Sequence, residues 1–257
     1  MDDDAESLVA KLLAFGEELG SHVTDTSVFL SDAIAKGRRV LFEGAQGCML
    51  DIDHGTFPFV TSSNTTTAGI APGLGIPPSS IGNVVGVLKA YTTRVGEGPF
   101  PTELGDETGE ALMRKGGEYG TTTGRARRCG WLDLVIAKQA IRLSGISHFA
   151  ITKLDVLNGM DSIKVCTHYE LDGETIDHFP ASLKKVARLV PVYEELPGWE
   201  DWGDGDSYRI AEEGFDALPS GMRDYVRFIE RETGVPAGIV SIGKNRDETI
   251  DLMGDKW

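Results

Sequence analysis

Seventeen glycines fall within the 87 residues from Gly44 to Gly130, about one position in five. The whole chain holds 32 in 257 residues, about 12 % against an average near 7 %. Glycine loses more backbone freedom on folding than any other residue, so a dense run of it is unfavourable unless geometry requires it. Apolar residues run through the stretch, which separates it from a flexible linker. The remaining reasons for so much glycine are unusual backbone dihedrals and close approach of the backbone to a ligand. This region is therefore predicted to fold in an ordered way that uses one or both of these.

Charge narrows the choice of ligand. The chain carries a net charge of -15 and a pI near 4.7, which argues against broad nucleic-acid binding. Between Arg114 and Arg128, however, stand five basic residues (Arg114, Lys115, Arg125, Arg127, Arg128) and one acid, Glu118, a local excess of +4. Such an island suits a small anion, or else forms a solvated arginine face paired with the many carboxylates. Apolar content of 40 % and charged content of 25 % are those of an ordinary globular protein. No apolar run is long enough to span a membrane, and Met1-Asp2-Asp3-Asp4 lacks the features of a signal peptide. Cys48, Cys129 and Cys166 are too scattered for a disulfide framework or zinc cluster. A cytoplasmic protein with reduced thiols is expected, with no membrane or nucleic-acid partner.

The hydrophobic pattern predicts helices over Glu6–Gly20, Thr24–Lys36, Thr108–Lys115, Trp131–Leu143 and Pro219–Thr233, the last capped by Gly234. Strands are predicted at Arg39–Glu43, within Val84–Arg94, and at His148–Thr152, Pro191–Glu195 and Ala237–Ile242. Ser162–Leu171 and Glu174–Phe179 form a hairpin across Asp172-Gly173. Asp51–Pro78 and Gly116–Gly130 read as loops. Alternating strands and helices give an α/β fold with a mostly parallel sheet and the hairpin as an antiparallel excursion. No domain linker or internal repeat is evident, so residues 1–257 are expected to form a single partial domain with no internal boundary.

Three features carry chemistry. Thr152-Lys153-Leu154-Asp155 follows a predicted strand, the usual ligand edge of such sheets. A carboxylate there can accept from the ring N–H and the exocyclic amine of guanine, a donor pair that adenine lacks, while the lysine stem covers the flat base. The quartet resembles the Asn-Lys-x-Asp motif of GTP-binding proteins; a surface Lys-Asp pair is the bland alternative. Ser241-Ile242-Gly243 ends the last predicted strand and could offer backbone N–H groups to the guanine carbonyl, or be an ordinary turn. In Gly120-Thr121-Thr122-Thr123-Gly124-Arg125-Ala126-Arg127-Arg128, hydroxyls, backbone N–H groups and guanidinium forks make an anion cradle.

Taken in order with longer stretches, these features resemble the adenylosuccinate synthetase family. The stretches are Phe42-Glu43-Gly44-Ala45-Gln46-Gly47, Asp51-Ile52-Asp53-His54-Gly55-Thr56, Val60 to Thr66, Lys89 to Gly96, Gly98 to Glu103, Thr122 to Arg128 and Thr152 to Asp155. The similarity runs from about residue 5 onward and is tightest from Val40 to Gly159. It implies a P-loop NTPase-like fold, incomplete here, and a homodimer. It also implies a magnesium- and GTP-dependent ligase that phosphorylates the base oxygen of IMP and then displaces that phosphate with the amine of L-aspartate. Carried over, Gln46, Thr61 and Arg125 would contact IMP. Thr121, Thr122, Thr123, Gly124, Arg125, Ala126 and Arg127 would close over aspartate. Arg127, Lys153, Leu154, Asp155, Ser241, Ile242 and Gly243 would bind GTP.

Departures from the family pattern matter as much. The family's glycine-rich phosphate loop, its catalytic Asp and its catalytic His find no match among these residues. No Gly-x-x-x-x-Gly-Lys-Ser/Thr occurs, and Gly243-Lys244 is followed by Asn245. No catalytic residue or metal ligand is therefore expected here. His54, beside Asp51 and Asp53, is read as a loop residue. Ala126 stands where some members have arginine, and Ile242 where threonine is common. The chain is expected to supply recognition and to be silent alone, with a separate N-terminal half as a possible partner. Two other readings are a non-catalytic guanine-nucleotide- or partner-binding remnant and a relative that aminates a different purine nucleotide.

Overall fold

A computed structural model describes residues 4–120, 124–203 and 205–254. In chain order the helices are α1 (Ala5–Leu19), α2 (Thr26–Ala35), α3 (Ile70–Leu74), α4 (Glu107–Gly116), α5 (Leu134–Ser144), α6 (Leu183–Val186), α7 (Asp206–Glu213) and α8 (Ser220–Thr233). The strands are β1 (Val85–Lys89), β2 (Thr92–Arg94), β3 (Arg128–Gly130), β4 (Leu132–Asp133), β5 (His148–Thr152), β6 (Met160–Leu171), β7 (Glu174–Ile176), β8 (Val190–Trp199), β9 (Ala237–Ser241) and β10 (Thr249–Asp251).

Capping residues place the helices that matter for the site. Asp106 accepts from the N–H groups of Thr108 and Gly109 to start α4, and Gly117 ends it at φ 60°. Asp133 caps α5 through Val135 and Ile136, and Gly145 ends that helix at φ 64°. Carboxylate caps and left-handed glycine stops satisfy the end groups that a helix cannot pair internally.

The main sheet runs β1-β5-β9-β10. β1, β5 and β9 are parallel, and β10 returns antiparallel to β9. Phe149, Ile151 and Val240 from this sheet pack with Met222, Tyr225, Val226 and Ile229 of α8 and with Leu134 of α5. Each such side chain contributes roughly 1.5–3 kcal/mol on burial. The Tyr225 hydroxyl donates to the Ala90 carbonyl at 2.6 Å and fixes α8 to the end of β1. β6 is the hub of a second sheet, antiparallel to β7 and β8 and parallel to β4. Among the described residues no helix is long and apolar enough to cross a membrane.

The α/β fold with a largely parallel sheet and the hairpin agree with the sequence pattern. Three local expectations do not. Arg39–Glu43 lies outside every sheet of the described residues, and Leu41 is 90 % exposed. A strand is completed by a neighbour, which a local apolar run does not supply. α5 begins at Leu134 rather than Trp131, because Leu132 and Asp133 pair with Val165 and Cys166 and the Asp133 carboxylate sets the cap. The hairpin belongs to the β6 sheet rather than to an excursion of the parallel one.

Apolar side chains remain outside the core at the N-terminal end. Leu12, Leu13 and Phe15 of α1 are exposed, as is Val87 on the edge strand β1. A cleft of about 590 Å³ lies between α2, residues 40–44 and α3, with Phe29, Leu30, Phe42 and Ile70 in its walls. None of the described candidate site residues lines it.

Candidate functional site

The parallel pairing of β5 with β9 sets Ile151 beside Val240. Both strands then leave the sheet at the same edge, bringing Lys153-Leu154-Asp155 and Ser241-Ile242-Gly243 together. Lys153 turns the chain in the left-handed region at φ 67°, and its Nζ donates to the Gly116 carbonyl at 2.8 Å. Leu154 and Ile242 are fully buried and anchor the two loops. Asp155 is the unusual member. Its Oδ1 is buried and accepts no hydrogen bond. Burial, chiefly, pushes its pKa up, and the negative charge of Glu248 adds to that, while Lys153 and Lys115 pull the other way.

Glu248 shapes the Ser241–Gly243 side. Its carboxylate accepts from Ser207 Oγ at 2.6 Å, from the Asn245 N–H at 2.7 Å and from Asn245 Nδ2 at 2.8 Å. Burial opposes its ionisation, but these donors outweigh burial and hold its pKa below the ordinary value. A Cβ on Gly243 would lie 2.3 Å from the Glu248 carboxyl carbon. A side chain at 243 would therefore push the carboxylate out of this set of hydrogen bonds.

The arginine loop projects from a short ladder. Tyr119 and Ala126 form an antiparallel bridge. The Gly120 N–H donates to the Arg125 carbonyl at 2.8 Å, and the Arg127 N–H to the Glu118 carbonyl at 2.9 Å. Gly124 has φ 63° and donates its N–H to the Gly120 carbonyl at 2.7 Å. Arg125 and Ala126 are exposed. Thr121, Thr122 and Thr123 lie outside the described residues.

Glu118, 1 % exposed, is the ladder's anchor. Lys89 Nζ lies 2.7 and 2.9 Å from its two oxygens, the Tyr91 hydroxyl donates at 2.7 Å, and Arg127 Nη1 donates at 2.7 Å. Burial alone would raise its pKa, but the bonds from Lys89, Tyr91 and Arg127 outweigh burial and lower it. In the charge count, Glu118 merely diminished the positive island. Its position as the one acid among five bases was the signal that could have marked it.

The island itself divides. Arg128 forks onto Glu103, with Nε at 2.6 Å from Oε1, and also donates to the Gly98 carbonyl at 2.9 Å. Arg114 pairs with Glu110, and Lys115 Nζ donates to the Asn158 carbonyl at 2.6 Å. These three are engaged with structural partners, as Arg127 is with Glu118.

Gln46 and Thr61 sit in the glycine-rich segment before β1. Gln46 is exposed, with φ 64°. Thr61 is half-buried and donates its N–H to the Leu50 carbonyl at 2.8 Å. Fully buried Asp51 organises this segment. Its Oδ1 accepts from the N–H groups of Asp53 and His54, each at 3.0 Å, and its Oδ2 from that of Thr65 at 2.7 Å. Burial of Asp51 works against the charge, but the backbone donors prevail and lower the pKa. His54 thus enters the loop through its backbone. Arg94 of β2 ties the segment to the arginine loop: it donates to Thr56 Oγ1 at 2.9 Å and to the Phe59 carbonyl at 3.1 Å, and pairs across the ladder with Arg128 of β3.

Parallel strands that end in adjacent loops at one edge, with a buried unpaired carboxylate oxygen among them, define an α/β protein of the kind that places ligand sites at its strand ends. The family is settled by comparison: residues 2–250 match the model of the adenylosuccinate synthetase family, and the chain belongs to that family. The adenylosuccinate synthetase of Thermoanaerobacter sp. (strain X514) is 53 % identical over 249 residues, covering 97 % of this chain and 57 % of the relative. That of Desulfatibacillum aliphaticivorans is 50 % identical over 247 residues, covering 96 % and 56 %. The chain therefore spans little more than half the length of these relatives. The structure of fully ligated adenylosuccinate synthetase from Plasmodium falciparum superposes with a TM-score of 0.90 at 37 % identity, over 98 % of this chain and 59 % of that one. A cyanophage S-2L succinoaminodeoxyadenylate synthetase, at 20 % identity, 96 % and 59 % coverage and a TM-score of 0.56, shares the fold.

Proposed function

We propose that this chain supplies the IMP-, aspartate- and guanine-recognising part of a ligase that joins IMP to L-aspartate with GTP as co-substrate. The observation that carries this reading is Asp155, whose buried Oδ1 has no partner at the edge where β5 and β9 end side by side. Guanine supplies the donors that such an acceptor lacks. Lys153 and Leu154 flank the base, and the backbone of Ser241, Ile242 and Gly243 meets its carbonyl. Arg125, Arg127 and the residues from Thr121 to Ala126 take the carboxylates of aspartate, since a guanidinium fork matches a carboxylate. Arg127 also reaches GTP. Gln46, Thr61 and Arg125 contact IMP. A loop closing there orders the reactants and excludes water.

Mg2+ is the metal that family membership implies. Among the described residues no group of three or more His, Cys, Asp or Glu side chains could hold a metal ion. The residues named here bind and orient, so the chain alone is proposed to bind nucleotide without turnover, working in a cytoplasmic homodimer once the rest of the family's length is supplied. Calorimetry with GDP tests the recognition: micromolar binding by the chain and its loss in Asp155→Ala are expected. Hydrolysis of GTP by the purified chain that needs both IMP and aspartate, and disappears in Asp155→Ala, would refute its silence. Turnover on adding the N-terminal part of a relative would support the division of labour.

A further inference from the structure

We infer that Glu118 is a positioning residue through which a dicarboxylate held by Arg127 and a nucleotide held at Lys153–Asp155 strengthen each other's binding. The inference rests on the assignments proposed above and adds the link between them. That link is the turn Gly116-Gly117-Glu118 at the end of α4. On one side, Lys153 Nζ donates to the Gly116 carbonyl at 2.8 Å. On the other, Glu118 holds Arg127 twice, by carboxylate to Nη1 at 2.7 Å and by its carbonyl to the Arg127 N–H at 2.9 Å.

The turn is stiff. The N–H groups of Gly117 and Glu118 bond back to Arg114 and Met113 at 3.2 and 2.9 Å. A Cβ on Gly116 would meet the Tyr91 hydroxyl at 2.1 Å, so the backbone lies close against that ring. Lys89 and Tyr91 fix the carboxylate from the β1 side. Lys89 in turn pairs in register with Thr152, the residue before Lys153. The connections form a closed circuit from Thr152 to Lys153, Gly116, Glu118, Lys89 and back to Thr152.

Charge fits the same role. One carboxylate faces two cations, Lys89 and Arg127, which leaves an excess of positive charge for an incoming anion. Glu118 engages Arg127 at Nη1 and leaves the rest of its fork for a ligand. An anion bound by Arg127 therefore acts on the same turn that positions Lys153. Coupling of this kind is reciprocal, and typical magnitudes run from about 5- to 150-fold.

The test is calorimetric titration of the full 257-residue chain with GDP, in the absence and presence of saturating L-aspartate, for wild type and Glu118→Gln. Aspartate is expected to tighten GDP about fivefold or more in wild type and less than about twofold in Glu118→Gln. Asp155→Ala, by contrast, weakens GDP in both conditions. A role that is only structural would lower GDP affinity and melting temperature while leaving the ratio of the two affinities intact, and that result overturns the inference. So does wild-type GDP binding that aspartate does not change, an outcome that leaves the guanine pocket standing. Failure of the wild-type chain to bind GDP removes the proposed function and this inference with it. If Glu118→Gln does not fold, Tyr91→Phe, which removes one donor to the same carboxylate, is read instead, and an undiminished linkage there is equally fatal.

Discussion

Replacing Asp155 by asparagine keeps the side-chain shape and removes the charge, which makes it the sharpest probe of the proposed guanine pocket. In the unliganded protein Oδ1 is buried without a partner, and burial first, then Glu248, raises the pKa. A raised folded-state pKa means that the stability present at low pH is lost as pH rises through that pKa. The neutral amide escapes the loss, so at pH 7.5 the unliganded variant should melt higher than wild type. An unpaired buried acceptor costs about 1–3 kcal/mol. Asp155 is only half-buried, so a gain of about 1 kcal/mol and a rise of roughly 2–4 °C are expected. Binding moves the other way. Two hydrogen bonds to a charged acceptor, at about 1.5–3 kcal/mol each, amount to ~3–6 kcal/mol, or roughly 10²–10⁴-fold in Kd. Wild-type GDP affinity should also fall as acid protonates the carboxylate. Xanthosine diphosphate separates this account from general damage, because its extra carbonyl can accept from the introduced amide where guanine offers an amine. The assays are calorimetry with both nucleotides and a thermal melt without ligand. A variant that melts normally and binds GDP within about threefold of wild type refutes the reasoning, as does one that loses GDP without gaining the xanthine nucleotide.

Three further outcomes can be checked directly. Burial raises the Asp133 carboxyl to about 6 despite the bonds from Tyr169, Ile136 and Val135, so its favourable contribution is complete below the ordinary carboxylate range and vanishes as pH rises through about 6. Asp133→Asn, which preserves the cap, should flatten urea-midpoint-against-pH curves between pH 4 and 7, removing a slope worth roughly 3 kcal/mol; an unchanged slope rules this out. Gly243→Ala forces the methyl into Glu248 and should cost about 1–3 kcal/mol and weaken GDP, with partial recovery in the double variant carrying Glu248→Ala. Val87 is 78 % exposed on the edge strand β1, so Val87→Lys should slow aggregation measured by light scattering without lowering the melting temperature.

The sequence disclosed those parts of the site whose geometry is local. Lys153–Asp155 and Ser241–Gly243 each follow a short apolar strand, and two parallel strands that end together must bring such loops to one edge. Glu118 was hidden because its partners Lys89 and Tyr91 lie 29 and 27 residues away, and no periodicity relates them. Glu248 was hidden for the same reason: its hydroxyl partner, Ser207, is 41 residues distant. Arg39–Glu43 shows the reverse failure, a persuasive local pattern that no strand among the described residues pairs with. Arg128 belonged to the basic island by count, but its fork is taken by Glu103, 25 residues upstream.

The contact between position 243 and Glu248 also restricts the order in which this edge can change. A side chain at 243 displaces the Glu248 carboxylate from its donors, and shortening 248 first strips Ser207 and Asn245 of their shared acceptor. The two sites are therefore expected to drift as a pair, and a lineage that alters one without the other passes through a less stable intermediate.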